Sequence, residues 1–253
     1  MAAVKGTALI QGEATCERVW RTWLSDEGCH ELSVQAWLPA SARLVIVAPH
    51  PDDEILACGG LIAAHAAQGG RVLIVAVTDG EASHGESPSF SRLELAEIRR
   101  SERLLGLRHL GMSHPEVMAL ALKDGQVRPQ SDILLDRLMS LLQPGDVVVS
   151  TWENDGHPDH DATGYMVKLA SAATGCTYLA APVWMWHWAT PGDVRVPWRR
   201  LRGMPLSAED VSRKQAGLAA HQSQLVSRSF NLGAVLDDAI LKRAAWPTEY
   251  YFV

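Results

Sequence analysis

Residues 43 to 54 read RLVIVAPHPDDE, in which the apolar run Arg43 to Ala48 is followed at once by polar and acidic residues. A continuous run rich in Val and Ile is typical of a strand that is buried on both faces of a parallel sheet. A second such run, Arg71 to Val77, follows the helically spaced stretch Ile55 to Gln68 and its Gly69-Gly70 stop. These elements predict a right-handed βαβ unit.

The same alternation continues along the chain. Helices are predicted over Ser91 to Leu105, Ser131 to Leu142, Asp159 to Ala173 and Ser207 to Leu225, and strands near His109, over Asp146 to Ser150 and over Tyr178 to Trp188. The Pro- and Arg-rich stretch Pro191 to Pro205 predicts a surface loop. The pattern therefore favours one α/β domain over residues 1–253, doubly wound around a mostly parallel sheet, with residues 1–40 as an N-terminal extension packed on the core.

Three tryptophans, Trp184, Trp186 and Trp188, alternate along the predicted strand over Tyr178 to Trp188. On a strand they would share one face. That face would be a stacking platform for a sugar, or it would fill the core or an oligomer interface, which is the commoner fate of large aromatic side chains.

Composition excludes several classes of protein. The chain has 253 residues, 47% of them hydrophobic and 21% charged, with a formal charge of −6; it is globular, and no basic face for nucleic acid is evident. Its apolar runs are strand-length, too short for a membrane span, and the N-terminus lacks a signal-peptide pattern, so we expect a cytoplasmic protein. The four cysteines form no CxxC pair, so a metal site would need His and carboxylate ligands.

Two clusters of His and acidic residues follow predicted strands. His50-Pro51-Asp52-Asp53-Glu54 comes directly after the first strand, and His157-Pro158-Asp159-His160-Asp161 follows the strand that ends at Ser150. Ligands bind at the carboxyl ends of strands in open parallel sheets. Polar loops that cap the next helix would explain one or two of the acids. They would not explain three adjacent carboxylates beside an imidazole, whose repulsion a bound cation relieves, so a metal site is expected.

This pair of motifs resembles the PIG-L / LmbE-like family of zinc-dependent N-deacetylases, which have a Rossmann-like fold with the metal at the strand ends. Further similar stretches are Thr78-Asp79-Gly80-Glu81, Leu95-Ala96-Glu97-Ile98-Arg99 with Glu102, and Ala220-His221-Gln222-Ser223-Gln224. The resemblance implies that His50, Asp53 and His160 bind Zn²⁺, that Asp52 is the general base, and that His157 supports the oxyanion or protonates the leaving amine. Two His and one carboxylate also suit Fe²⁺.

Other residues carry weaker predictions. The resemblance makes Arg99 a substrate contact, although pairing with Glu102 on a solvated helix face would equally explain it. Trp152 is a candidate for the pocket wall, and Glu54 either orients a metal ligand or caps a helix. His114 stands where many relatives have an Asp, and a lone His221 is more often structural.

The expected function is metal-activated hydrolysis of an N-acetyl or other N-acyl group on a small-molecule amino sugar or glycoconjugate. An amidase acting on a larger thiol or glycopeptide conjugate, or a non-catalytic metal-binding module, stays open as an alternative, and so does a homo-oligomer. A dinucleotide-binding protein is disfavoured, because acids occupy the place of the Gly-rich phosphate loop after the first strand.

Overall fold

The computed structural model describes residues 10, 13–27, 30–31, 37–85, 90–227 and 233–253. The strands are β1 His30–Glu31, β2 Arg43–Ala48, β3 Arg71–Thr78, β4 Glu116–Leu122, β5 Val147–Thr151, β6 Thr177–Ala181, β7 Leu201–Pro205 and β8 Thr248–Phe252. The α-helices are α1 Glu17–Glu27, α2 Asp53–Ala67, α3 Arg92–His109, α4 Ser131–Leu141, α5 Pro158–Thr174, α6 Met185–Trp188, α7 Ala208–Ala219, α8 Gln222–Leu225 and α9 Asp238–Ala244. Two 3₁₀ turns span Arg128–Gln130 and Trp198–Arg200.

The strands form one sheet in the order β1-β7-β8-β6-β5-β2-β3-β4. The five strands from β6 to β4 are parallel, whereas β8 runs antiparallel to both β6 and β7. From β2 the chain moves outward to β3 and β4, then returns to the other side of β2 to form β5 and β6. This reversal places a topological switch point between β2 and β5, where open α/β sheets bind their ligands. The predicted α/β class with a mostly parallel sheet is confirmed.

Residues of the central strands alternate between two apolar layers. Leu44 and Ile46 of β2 belong to the layer beneath α2, α3 and α7, while Val45 and Val47 belong to the layer beneath α4 and α5. Both faces of β2 are therefore buried, which is why its sequence is apolar at every position from Leu44 to Ala48 rather than at every second one.

The strand predicted over Tyr178 to Trp188 ends at Ala181 and is followed by the short helix α6, so that prediction is wrong beyond β6. Pro182 has no N–H for a ladder hydrogen bond, and the next three backbone N–H groups all donate to the carboxylate of Asp155. The alternating tryptophans therefore do not share a strand face. Trp186 packs edge-on against Trp20 of α1, with ring centroids 5.1 Å apart.

Three further predictions are corrected. The stretch Pro191 to Pro205 is more than a surface loop, because it contains a 3₁₀ turn and strand β7. The strand predicted near His109 is wrong, because α3 continues to that residue and the chain turns at Gly111, whose φ is +94°, a conformation that favours glycine. The late helix also stops at Ala219, before the separate turn α8. Across the described ranges, no helix is both long and apolar enough to traverse a bilayer.

Candidate metal centre and active site

The two acidic motifs meet at the switch point. His50 lies just past β2 and Asp53 is the first residue of α2, while His157 caps the N-terminus of α5 after β5. Gly164 lets α5 approach this edge, since a Cβ there would collide with the carbonyl oxygen of Thr151 and the loop that follows β5. The close approach brings the second motif against the first.

The predicted ligands His50, Asp53 and His160 come together in the structure. Asp53 Oδ2 lies 3.1 Å from His50 Nδ1 and 3.2 Å from His160 Nε2. Two imidazole nitrogens and one carboxylate oxygen are donors that Zn²⁺ and similar divalent ions accept, and three protein ligands leave a coordination position free. The chemistry of this donor set therefore fits a divalent metal.

The outer nitrogen of each of these imidazoles contacts a carboxylate. Asp155 Oδ2 lies 2.8 Å from His160 Nδ1, and Asp159 Oδ2 lies 3.2 Å from His50 Nε2, with Asp124 Oδ1 at 3.3 Å from the same nitrogen. Such contacts fix the ring orientation and raise the basicity of a metal-binding His. Neither Asp124 nor Asp155 belongs to one of the two sequence motifs, so both are site residues that the motifs do not predict.

These acids also raise the pKa values of the two imidazoles, His50 and His160. Burial lowers the pKa of His50, but hydrogen bonds to Asp124, Asp159 and Asp53 outweigh it and hold that pKa well above its usual value. Burial also lowers the pKa of His160. The charge of Asp53 and the hydrogen bond to Asp155 outweigh burial and raise that pKa to about 9. The acidic surroundings therefore favour positive charge at this point, whether from protons or from a metal that displaces them.

Two other groups of donor atoms lie within 4.8 Å of one another. One consists of His50, His157 and His160, and the other of His50, Asp124 and Asp159. The structure therefore contains metal-ligand groups that overlap with the predicted ligands and share His50 with them.

Asp52 is held in a strained backbone conformation beside the predicted ligands. Its φ is +113°, a value that costs free energy for a residue other than glycine and that clusters at functional sites. Arg99 Nη2 donates to Asp52 Oδ2 at 3.1 Å and to the carbonyl of Pro51 at 2.7 Å, and Nη1 donates to the carbonyl of Gly80 at 2.8 Å. Burial raises the Asp52 pKa to about 7 although the charge of Arg99 opposes the rise.

Arg99 is buried, so the alternative in which it pairs with Glu102 on a solvated helix face is wrong. Glu102 instead accepts hydrogen bonds from the backbone and side chain of Ser223, each at 2.6 Å. Glu54, fully buried, accepts from the backbone N–H of Asp52 at 3.4 Å and lies 3.5 Å from Arg103 Nε. Glu54 therefore contacts the backbone of Asp52 and not a predicted ligand.

His157, in the second motif at the N-terminus of α5, lies near the predicted ligands. Its Nδ1 accepts a hydrogen bond from the backbone N–H of Asp159 at 3.2 Å, so in the neutral ring Nε2 carries the proton. Burial, followed by the positive charges of His160 and His50, lowers the pKa of His157 to about 3. The ring is therefore a neutral hydrogen-bond donor.

These groups open into a cavity of about 440 Å³. Its wall contains His50, Asp52, Asp53, Arg99, Asp124, His157 and His160, together with Ala82, Ser83, Trp184, Leu236 and Ile240. Ligand sites typically have a volume of roughly 300–1,000 Å³ and a few convergent polar groups. The cavity thus has the size and lining of a small-molecule site.

Three residues considered from the sequence lie elsewhere. Trp152 packs against Phe252 in a buried apolar cluster, with ring centroids 4.7 Å apart. The tryptophan in the cavity wall is Trp184. His114 is exposed on the turn before β4. His221 is fully buried, and burial followed by the charges of Arg99 and Arg103 lowers its pKa to about 3.

Known proteins resemble this chain in sequence and in fold. A family model described as PIG-L, GlcNAc-PI de-N-acetylase, matches residues 45–171. A probable N-acetyl-alpha-D-glucosaminyl L-malate deacetylase 2 of Bacillus anthracis is 27% identical over 81% of this chain and 91% of its own length. A 1D-myo-inositol 2-acetamido-2-deoxy-alpha-D-glucopyranoside deacetylase of Mycolicibacterium gilvum is 26% identical over 83% of this chain and 89% of its own.

Among solved structures, the N,N'-diacetylchitobiose deacetylase of Pyrococcus horikoshii is similar with a TM-score of 0.59 and 21% identity. The similarity covers 85% of this chain and 81% of that protein. At this identity the likeness concerns the fold. The family model spans both acidic motifs, from β2 to the C-terminal part of α5.

Proposed function

Because the chain belongs to the PIG-L family of GlcNAc-PI de-N-acetylases, we propose that it is a metal-dependent hydrolase that removes an N-acetyl group from an amino sugar or a sugar-containing conjugate. The observation that carries this proposal is the convergence of His50 Nδ1 and His160 Nε2 on Asp53 Oδ2, with Asp52 beside them in the cavity wall. Relatives of similar length carry names of deacetylases that act on N-acetylglucosaminyl conjugates.

We assign His50, Asp53 and His160 as the ligands of a divalent ion, with zinc as the first choice and iron(II) as the other ion that the donor set suits. When bound, such an ion polarises the amide carbonyl and makes water a stronger acid. Asp155 and Asp159 would orient the two imidazoles from behind. The arrangement leaves Asp52 and His157 free for proton transfer and charge stabilisation.

Asp52 would act as the general base. It takes a proton from the attacking water as the new carbon–oxygen bond forms, and its raised pKa of about 7 suits proton transfer near neutral pH. The same proton is then available to the amine nitrogen as the carbon–nitrogen bond breaks, which gives the free amine and acetic acid, and the acid releases its own proton to become acetate.

His157 would stabilise the oxyanion through its Nε2–H. Donors that are aimed at developing charge in a buried site are among the largest contributions to catalysis. Because the ring is neutral and its Nδ1 is held by the backbone of Asp159, it needs no reorganisation to donate.

Arg99 would position Asp52 rather than contact the substrate. Both of its terminal nitrogens donate to Asp52, Pro51 and Gly80, which commits most of its donors to the protein. Trp184, in the cavity wall, would replace Trp152 as the aromatic contact for the sugar.

Metal analysis of the purified protein, paired with amine release from N-acetylglucosamine derivatives with and without chelator, tests the proposal. About one metal ion per chain and chelator-sensitive amine release are expected. Full metal occupancy without release from any acetylated sugar would point to the larger thiol or glycopeptide conjugate or to a non-catalytic metal protein. Absence of metal after loading would overturn the proposal.

A further inference from the structure

Helix α2 is broken at Cys58, shortly after the predicted ligand Asp53. Cys58 has φ −149° and ψ 29°, whereas residues inside an α-helix have values of about −63° and −42°. Asp52, directly before the helix, is non-helical as well, with a φ of +113°. The short segment 53–57 therefore lies between two breaks in the helical backbone. Contacts other than those within α2 must set the direction of this segment.

A buried ion pair from two distant elements binds the backbone at the break. Lys214 of α7 and Glu249 of β8 are both buried, and Lys214 Nζ donates to Glu249 Oε1 at 2.7 Å. Glu249 Oε1 also accepts the backbone N–H of Gly60 at 2.8 Å, and Oε2 accepts that of Leu61 at 3.0 Å. Lys214 Nζ donates in addition to the carbonyl of Leu56 at 3.0 Å. Each side of the break thus has a charged partner.

These contacts use backbone groups that face one another in an unbroken helix. There the N–H of Gly60 would donate to the carbonyl of Leu56, four residues earlier. Side chains that enter this hydrogen-bond ladder are a known cause of helix kinks. The carboxylate of Glu249 caps the part of α2 that begins after the break, and the ammonium of Lys214 caps the part that ends there. Both charges have the sign that the helix dipole favours at those ends.

The two glycines after the break let the pair approach the helix. A Cβ at Gly59 would lie 3.0 Å from Cγ of Lys214, so the stem of this lysine packs directly on the helix backbone. A Cβ at Gly60 would overlap with the side chain of Leu206. The Gly59-Gly60 pair therefore gives Lys214 access to the carbonyl before the break.

We propose that Lys214 and Glu249 are a positioning pair for the metal site: by holding α2 broken, they direct the segment 53–57 so that Asp53 meets the two histidine ligands. Their effect passes through the backbone, because Lys214 binds the carbonyl of Leu56, which follows Asp53 within one turn and lines the large cavity. An unbroken helix would turn this segment onto the axis of the rest of α2 and carry Asp53 away from the histidines. The inference rests on the proposed function for its metal site.

The double variant Lys214→Met/Glu249→Met tests the proposal. It replaces the pair by apolar side chains of similar length, a change that buried ion pairs often tolerate without loss of stability. It also leaves the carbonyl of Leu56 and the N–H of Gly60 free to pair with each other and close the break. Its affinity for Zn²⁺, measured by competition with a chromogenic chelator, is expected to fall by about tenfold or more, as when a group that orients a metal ligand is lost.

Arg43→Met is the matched control, because Arg43 also belongs to a largely buried ion pair. Its Nε donates to Asp146 Oδ1 at 3.0 Å, but Arg43 is the first residue of β2, at the end of that strand remote from His50. This variant leaves Asp146 without its cation, so urea unfolding of the metal-free protein should show a larger loss of stability than in the double variant. Its affinity for Zn²⁺ should nevertheless equal that of the wild type.

Wild-type affinity in the double variant would overturn the inference. An equal fall of affinity in the double variant and in Arg43→Met would also overturn it, because the cause would then be lost stability. If the double variant does not fold, Glu249→Gln, which keeps one acceptor oxygen, is compared with Arg43→Met in the same way.

The affinity for Zn²⁺ is measured without substrate, so the result is independent of hydrolysis. Metal binding without amine release from any acetylated sugar would contradict the proposed function, while weaker metal binding by the double variant would still support the positioning pair. A wild-type protein that binds no metal would overturn both.

Discussion

Asp155 Oδ2 lies 2.8 Å from His160 Nδ1, and the same carboxylate accepts the backbone N–H groups of Val183, Trp184 and Met185 at 2.9 Å each. One buried side chain therefore fixes a predicted metal ligand and the start of the segment that carries Trp184 into the cavity wall. The orientation of His160 is coupled in this way to the shape of the proposed substrate site.

Replacing Asp155 by Asn should weaken metal binding by about 10- to 100-fold, because His160 loses the carboxylate that orients it and raises its basicity. The measurement is metal affinity by competition with a chromogenic chelator. Asp132→Asn, which removes an exposed acid in the first turn of α4, is the matched control and should bind metal like the wild type. Equal affinity in the two variants would contradict this role for Asp155.

The Asp52→Asn variant should retain its metal and lose about 10²- to 10⁴-fold in kcat, because an amide cannot take the proton from water. Asn tolerates a positive φ better than most residues, so the strained backbone at φ +113° need not change. Amine release and metal content are measured on the same sample. Asp193→Asn, which alters a surface pair with Arg195, serves as the control; an Asp52→Asn protein as active as that control would exclude Asp52 as the base.

His157 and His160, three residues apart, should respond differently to replacement by Ala. His160→Ala is expected to lose metal and activity together, whereas His157→Ala should keep its metal and lose about 10²- to 10³-fold in kcat with the oxyanion donor. The ring nitrogens of His50, His157 and His160 lie within 4.8 Å of one another. These three histidines are therefore an alternative set of metal ligands to His50, Asp53 and His160. Equal loss of metal in both variants would favour that trio of histidines as the ligand set.

The parts of the fold that the sequence predicted correctly are those with local signals. Strands β2, β3 and β5 are buried on both faces, so each contains a short uninterrupted apolar run. The candidate ligands also lie in two short motifs, with His50 and Asp53 at the start of α2 and His160 in the first turn of α5. The resemblance to the PIG-L family, which depends on those two motifs, is confirmed by the family match.

The parts that the sequence did not reveal depend on contacts between distant segments. Asp124 reaches His50 across the sheet edge, and nothing near it in the sequence marks it as a site residue. Strand β7 pairs with β8, whose partner residues lie 43 to 51 positions further along the chain, and its Arg-, Gly- and Pro-containing sequence has no apolar alternation. The alternating tryptophans have the pattern of a strand, but the backbone N–H groups at the start of α6 donate to Asp155, about 30 residues earlier in the chain, which no local pattern reveals.

The buried pair Lys214 and Glu249 should contribute more to stability than a pair at the surface. Lys214→Met would leave a Glu249 carboxylate that is 2% exposed without its cation, at a cost of about 3–5 kcal/mol. The same change at Lys168, which pairs with Glu153 while itself 45% exposed, should cost less than about 1 kcal/mol. Urea unfolding with both midpoint and slope recorded measures the two free energies. Equal costs would mean that the hydrogen bonds from Gly60, Leu61 and Tyr251 alone stabilise the carboxylate.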